Sequence, residues 1–287
     1  GVAISIILAG CFVSLGNVSL AYASSSYSEL KVVVSQNYAD AQKVLKLVNK
    51  ERAKAGLGKL KMDKKLTKGS ILRAAEVGIY VPWDSSHPRP NGKTYRSVNS
   101  RFVYECCAEG DDTPEEVVEG WMGSPSHRAG ILLRSAKSVG IACVTTGLDT
   151  IWVLDFSNTK ATSVQKSKKK VTYVKTVKSK STYIKKKFFK LVCFDPSIVG
   201  EKYYAGIDYS SSYNVTKTDI SAKSFKWKSS NPSIAIVSKN GIVTPKAPGK
   251  VTITATMKNN PKITLKRAFQ VYEDWQSYYD SLGDEYG

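Results

Sequence analysis

The chain contains two histidines, His87 and His127, so any imidazole chemistry rests on that pair. His87 lies in the loop segment DSSHPRPNGK (84–93), rich in turn formers. His127 follows Ser124-Pro125, a dipeptide that starts a short helix. An imidazole near a helix N-terminus has its cation disfavoured by the dipole and serves as a neutral ligand or base. The alternative is that both rings only tie down their loops by hydrogen bonding. Ser124 and Ser126 flank His127, but no acid that would orient a Ser-His pair is identifiable, which leaves hydrolysis without a defined nucleophile. Four cysteines lie beyond the N-terminal region: Cys106, Cys107, Cys143 and Cys193. They permit three complete pairings. Adjacent Cys106 and Cys107 would bridge each other only with strain, whereas either could reach Cys143 if their segments are neighbours. No Cys-x-x-Cys spacing marks a structural zinc site.

The elements that must position these groups are legible in part. Ala41, Val44, Leu45, Val48 and Ala55 recur at helical spacing over 38–55, ended by Gly56. Asp63 is a natural N-cap for a second helix carrying Leu66, Ile71, Ala74, Ala75 and Ile79. Thr113-Pro114-Glu115-Glu116 has the form of a capping box with proline in the first helical position. Two strand-like runs follow, Ser138–Thr145 and Thr150–Phe156, with a turn at Gly147. Helices followed by strands within one segment indicate an α+β domain. Beyond residue 182 no helical period remains. Short alternating runs at Phe225, Ile234 and Val251, with a turn at Asn240-Gly241, indicate an all-β sandwich. Trp121 and Trp152 are expected in the first core and Trp227 in the second.

The 287 residues are 42% hydrophobic, 10% aromatic and 23% charged, which excludes a wholly disordered chain, a collagen or a coiled coil. The net charge of +19 calls for an anionic partner. Twelve lysines fall between Asp155 and Asp195 with no acid among them; without these twelve the remainder is +7. The densest runs, Lys168, Lys169, Lys170 and Lys185, Lys186, Lys187, form a basic patch on an extended, self-repelling linker (158–181) and just beyond it, although the alternation Val171-Thr-Tyr-Val also allows a strand. The tail 272–287 is acidic and aromatic, and is expected either to fray or to fold back onto the lysines.

Residues 2–15 are apolar and shorter than the roughly 20 residues of a membrane span. With Ala21-Tyr22-Ala23 as a small-x-small cleavage site they read as a secretory signal peptide, 1–23. Leu8-Ala9-Gly10-Cys11 offers lipid attachment at Cys11 as an alternative, opposed by the apolar Phe12, Val13 and Leu15 that follow. An uncleaved anchor is the third reading. All three place the bulk of the chain outside the cytoplasm, where the available anions are envelope polymers and membrane surfaces. Nucleic acid is thereby set aside as a partner.

The first domain resembles the CAP (SCP-like) superfamily in its bacterial, secreted form. The carrying residues are Leu47–Arg52 with Ala55-Gly-Leu57, Leu60–Leu66, Ser86-His87 with Arg89–Gly92, Tyr104-Glu105, Thr113–Val118, Trp121–Ile131, Val139-Gly-Ile141 and Trp152–Phe156. The second resembles the group 2 bacterial immunoglobulin-like domain, through Trp227–Ala235, Asn240–Val243 and Ala247–Ala255. The resemblance implies a CAP-type α-β-α sandwich with a central cleft, followed by an immunoglobulin-like sandwich. The boundaries are then 1–23 signal, 24–37 spacer, 38–157 CAP domain, 158–181 linker, 182–271 Ig-like domain and 272–287 tail. Within the cleft the resemblance places His87 and His127 on the two histidine positions and Glu105 on the first acid. The second acid has no counterpart in Met122-Gly-Ser124; Glu119 stands one turn away. Two imidazoles and one carboxylate hold Zn²⁺ or another divalent cation with an open position. The expected function is a secreted or cell-surface binding protein whose cleft takes a metal ion or a small, lipid-like or host-derived ligand. The alternatives are a metal-dependent hydrolase using the same cleft, and a structural spacer with a silent cleft.

Overall fold

The computed structural model describes residues 26–80, 86–147, 149–210 and 218–282. The signal segment 1–23 and the Cys11 reading lie outside the described residues. Among the described residues no helix is long and apolar enough to cross a membrane.

The first domain runs β1 (Tyr27–Asn37), α1 (Tyr38–Lys54), β2 (Lys61–Met62), α2 (Lys64–Val77), β3 (Tyr104–Glu109), α3 (Pro114–Gly123), α4 (Pro125–Ile131), β4 (Ser138–Thr146), β5 (Asp149–Ser157) and β6 (Lys170–Lys180). The expected caps are in place: Asp63 caps α2 through its side chain, and Thr113 with Glu116 closes a capping box on α3; Asn37 caps α1 in the same way as Asp63. The strands form one sheet in the order β3-β5-β4-β1-β6, with β2 added beside β4. Side chains alternate across it. One face buries Val34, Cys107, Ala142 and Val153 with Ile71, Ala74 and Val77 of α2. The other buries Cys106, Ile141, Trp152 and Leu154 with Val44 of α1 and Trp121 of α3. The α-β-α layering follows from that alternation. Gly140 lets α2 approach β4: a Cβ there would lie 2.4 Å from Ser70 Oγ and 2.5 Å from the Leu66 carbonyl carbon.

Two segments expected outside the folded domains are strands within them. Residues 27–37, read as spacer, are β1, and 170–180, read as linker, are β6. The two pair antiparallel over their full lengths, from Tyr27↔Lys180 to Asn37↔Lys170. Alternation resolves the conflict between lysine content and strand. Val171, Tyr173 and Val177 face the core, while Lys170 and Lys178 are exposed. Lysines on an edge strand also discourage pairing with a second chain. The stretch between β5 and β6 is tied down as well: buried Asp63 accepts from Thr162 N at 2.6 Å and Thr162 Oγ1 at 3.0 Å, and Gln165 N donates to Met62 O.

The second domain contains β7 (Phe189–Val192), β8 (Ser197–Ile198), β9 (Tyr203–Tyr204), β10 (Gly206–Tyr209), β11 (Thr218–Asp219), β12 (Phe225–Ser229), β13 (Ala235–Val237), β14 (Ile242–Pro245), β15 (Gly249–Met257) and β16 (Thr264–Tyr272). They form sheets β12-β15-β16-β8, β13-β14-β9 and β11-β10-β7. Trp227 is only partly buried; its indole donates to Ala222 O. Among the described residues the acidic tail is helical rather than frayed. It forms α5 (Trp275–Ser281), capped by Asp274, because Trp275, Tyr278 and Tyr279 fall on one helical stripe and stack with each other and Tyr272.

The domains are joined along β1. Only Ser35 and Gln36 of β1 pair with β4, so its N-terminal half has a free edge. The second domain fills it: Ser221 N donates to Lys31 O at 2.7 Å, Val32 bridges Ile220, and Asn259 Nδ2 donates to Glu29 O. Leu30, Val32 and Val177 share one continuous core with Phe189, Tyr209, Phe225 and Val251. Gly140→Ala is expected to destabilise the first domain by about 1–3 kcal/mol through overpacking against α2. Urea unfolding of both proteins reads the shift.

Candidate functional site

The cleft lies at the β3 edge of the first sheet. It encloses about 500 Å³ and is lined by His87, Tyr95, Arg96, Tyr104, Glu105 and His127, among others. The sandwich explains why distant residues meet there. Glu105 points to the α2 face of β3, and α4 packs on the opposite face, so the edge strand separates the supports of the two histidines. α4 is held to β3 by Tyr104 Oη, which donates to Ser126 O at 2.8 Å, and by Cys106 Sγ, 3.7 Å from His127 O. Gly130 makes that approach possible, since a Cβ would fall 2.5 Å from Tyr104 Cδ1.

Arg73 of α2 organises the other side. It is fully buried and makes a two-pronged contact with Glu105, Nε to Oε2 at 2.8 Å and Nη2 to Oε1 at 2.9 Å. Its Nη1 donates to Glu76 Oε2 at 2.7 Å. Glu76 in turn receives both Nε and Nη2 of Arg89 from the loop. Arg73 Nη2 also donates to the backbone carbonyl of His87 at 3.3 Å, and His87 Nδ1 lies 3.2 Å from Glu105 Oε1. His87 has φ 42°, the left-handed region, which a non-glycine residue occupies only when its surroundings hold it there.

Burial alone would raise the Glu105 carboxyl. The Arg73 charge, with hydrogen bonds from His87 and Arg73, outweighs it and holds the group at about 2. An ionised Glu105 accepts, so His87 Nδ1 donates to it, and His87 Nε2 has no hydrogen-bond partner among the described residues. Burial and the His87 charge lower His127, which favours its neutral form. Asp155 stands directly across from Glu105 in the β3–β5 register. Full burial and the Glu105 charge push it well above the usual carboxylate range, and Ser70 Oγ donates to its Oδ2 at 2.7 Å.

His87, Glu105 and His127 line one cleft. Glu119 does not join them; it is exposed on α3, which directs its apolar face inward. Nor do the cysteines pair: all four are buried free thiols. Cys143 on β4 is separated from Cys106 and Cys107 by β5, and two strand spacings, about 10 Å, exceed disulfide reach. His87, Glu105 and Cys107 place ligand atoms within 4.8 Å of one another. Burial and the Glu105 charge keep the Cys107 thiol well above its ordinary value, hence protonated. Glu105 is occupied by Arg73 and stands behind His87, so as a direct ligand it does not fit. A divalent cation would be held by His87 Nε2 and His127, with Glu105 orienting His87 from behind. Arg73, Glu76 and Asp155 escaped sequence reasoning. The available signal was a charge pair three residues apart inside the apolar run Ile71–Ile79, a pattern that burial permits only with partners.

The architecture and cleft define a class. Residues 45–156 match the family model for the cysteine-rich secretory protein family, CAP, and residues 205–266 match that for the group 2 bacterial Ig-like domain. The chain carries a CAP domain followed by a bacterial Ig-like domain. It is 32% identical over 124 residues to the uncharacterized protein YkwD of Bacillus subtilis (strain 168), covering 40% of this chain and 46% of that protein. The chain thus spans about half the length of that relative. Among solved structures it is similar to an outer surface protein of Borrelia burgdorferi, with 21% identity, TM-score 0.37, and coverage of 45% of this chain and 98% of that one. It is also similar to an extracellular SCP-domain protein of Bacillus anthracis, with 18% identity, TM-score 0.34, and coverage of 42% and 41%.

Glu105→Gln leaves Arg73 short of one buried counter-charge and is expected to cost about 3–5 kcal/mol at pH 7. Its folded value of about 2 lies below the ordinary 4.5, so its stabilisation is full above 4.5 and is lost as pH falls towards 2. Acid unfolding should therefore steepen across that window in the wild type and flatten in Glu105→Gln. Asp155→Asn replaces a carboxyl that full burial and the Glu105 charge push well above its usual range, and is expected to leave stability at pH 7 unchanged or raised. Denaturant midpoints across the pH series check all three outcomes.

Proposed function

We propose that the protein is an extracellular binding protein whose CAP cleft takes a small ligand, or the end of a longer one, through the free nitrogens of His87 and His127. The Ig-like module presents the cleft at the envelope. The observation that carries this reading is the Arg73–Glu105–His87 chain. It spends the carboxylate on positioning and leaves both imidazoles facing about 500 Å³, a volume within the range of small-molecule sites. Around them the polar wall is already satisfied: Tyr95 Oη and Arg96 Nη2 both donate to Val103 O, and Tyr104 Oη to Ser126 O. A lone-pair nitrogen selects hydroxyl or ammonium donors, as in a host or lipid-like ligand, or a divalent cation such as Zn²⁺. The secretory character of the matched family supports the location.

A metal-dependent hydrolase is the second reading, favoured by the Glu105–His87 hydrogen bond, which orients an imidazole as a base would need. Zn²⁺ calorimetry on the full chain tests the cleft. His87→Ala and His127→Ala are expected to abolish binding, and Glu105→Gln to weaken it by about 10–100-fold as an orienting partner. Binding that is unchanged in His87→Ala would overturn the reading. Turnover of an ester or peptide library that disappears in both histidine variants would transfer the cleft to the hydrolase.

A further inference from the structure

The lysine run is dispersed by the fold. Lys160 joins Lys59, Lys61, Arg134 and Lys137 around a pocket of about 510 Å³ on the CAP domain. Lys186, Lys187 and Lys190 lie instead on the Ig-like domain, where β7 meets β16. There they face Lys266 and Arg267 across a groove of about 1020 Å³. Five cations from segments more than seventy residues apart in sequence thus converge on one open surface, far from any imidazole in sequence and outside the cleft lining.

These charges are weakly compensated. Among the described residues the four lysines make no ion pair, and Arg267 makes one long, exposed contact with Asp195 at 3.8 Å. Asp208 stands opposite Lys190 in the β7–β10 register without reaching ion-pair distance. Holding five like charges together costs free energy that an anionic occupant would recover. The floor indicates which kind. Phe189 is 8% exposed, and Leu191 and Leu265 6% each, so the groove itself offers charge above a closed apolar base; the exposed Val192 and Phe194 nearby lie outside its lining. Four of the five cations are lysines, point charges that do not need the planar two-pronged geometry arginine offers a carboxylate.

We propose that the β7–β16 groove of the Ig-like domain is a docking surface for a linear polymer of repeating phosphate charges. The polymer lies along the groove with its phosphates on Lys186, Lys187, Lys190, Lys266 and Arg267. This surface is independent of the histidine cleft, and its test does not depend on the cleft reading.

The full chain is titrated with fluorescently labelled inorganic polyphosphate, followed by anisotropy at several salt concentrations. Five phosphate contacts predict a log–log salt slope of about −3 to −4. The groove variant Lys190→Glu/Lys266→Glu/Arg267→Glu changes only exposed side chains and is expected to weaken binding at least tenfold. The control variant Lys59→Glu/Lys61→Glu/Lys137→Glu makes the same change in net charge on the CAP domain and should retain most of the affinity. His87→Ala should leave polyphosphate binding unchanged, which separates this surface from the cleft. Equal losses in the two triple variants would reduce the effect to net charge and overturn the proposal. Equally tight binding of polyglutamate would overturn the phosphate assignment. Binding to phosphatidylglycerol vesicles without binding to polyphosphate would replace the polymer with a membrane.

Discussion

Arg73 is fully buried, and its charge is balanced by Glu105 from β3 and Glu76 from its own helix. A buried cation of this kind is tolerable only with its partners in place, because the cost of desolvation is large and the compensation is local. The requirement propagates. Glu76 recruits Arg89, which fixes the loop; Glu105 recruits Nδ1 of His87; and Arg73 itself holds the His87 carbonyl. The left-handed backbone of His87 is sustained by these contacts. One guanidinium thus joins α2, β3 and the histidine loop, and the cleft geometry is a consequence of satisfying it.

A second constraint couples the domains. β1 is long enough to serve two partners, β6 along one edge and, in turn, β4 and the Ig-like domain along the other. Thr218 Oγ1 donates to Gly78 O at 2.6 Å, and Tyr80 stacks on Tyr183 at 4.0 Å. Because the α2 face of the sheet and the Ig-like interior share one apolar cluster, displacement of either domain exposes core that both use. The Ig-like module is therefore not a bead on a flexible tether, and its basic groove keeps a set position relative to the cleft.

Much of the fold was legible in the sequence where the signals are local. The caps at Asp63 and Thr113, the turns at Gly147 and Gly241, and the strand alternation at β4, β5 and β15 each depend on neighbouring residues. They stand where periodicity and turn chemistry put them. Motif resemblance singled out the histidines and Glu105, and those three side chains line one pocket. The failures share a physical cause. β6 reads as a linker because its lysines dominate its composition, and only a partner strand shows that Val171, Tyr173 and Val177 face a core. The cysteine pairing turned on strand order, which no local pattern encodes.

The α+β and all-β halves, most helix and turn positions, the two imidazoles and the excess of positive charge are all written in the order of the amino acids. Each of these follows from composition or from contacts within a few residues. Packing alone settles that Glu105 is spent on Arg73, that burial and the Glu105 charge push Asp155 well above the usual carboxylate range, and that the acid-free lysine run splits between a sheet edge, a pocket on one domain and a groove on the other. The reason is that ionisation and electrostatic attraction depend on burial and on distances of a few ångströms between groups far apart in the chain. Those distances come into being only when the sheets close.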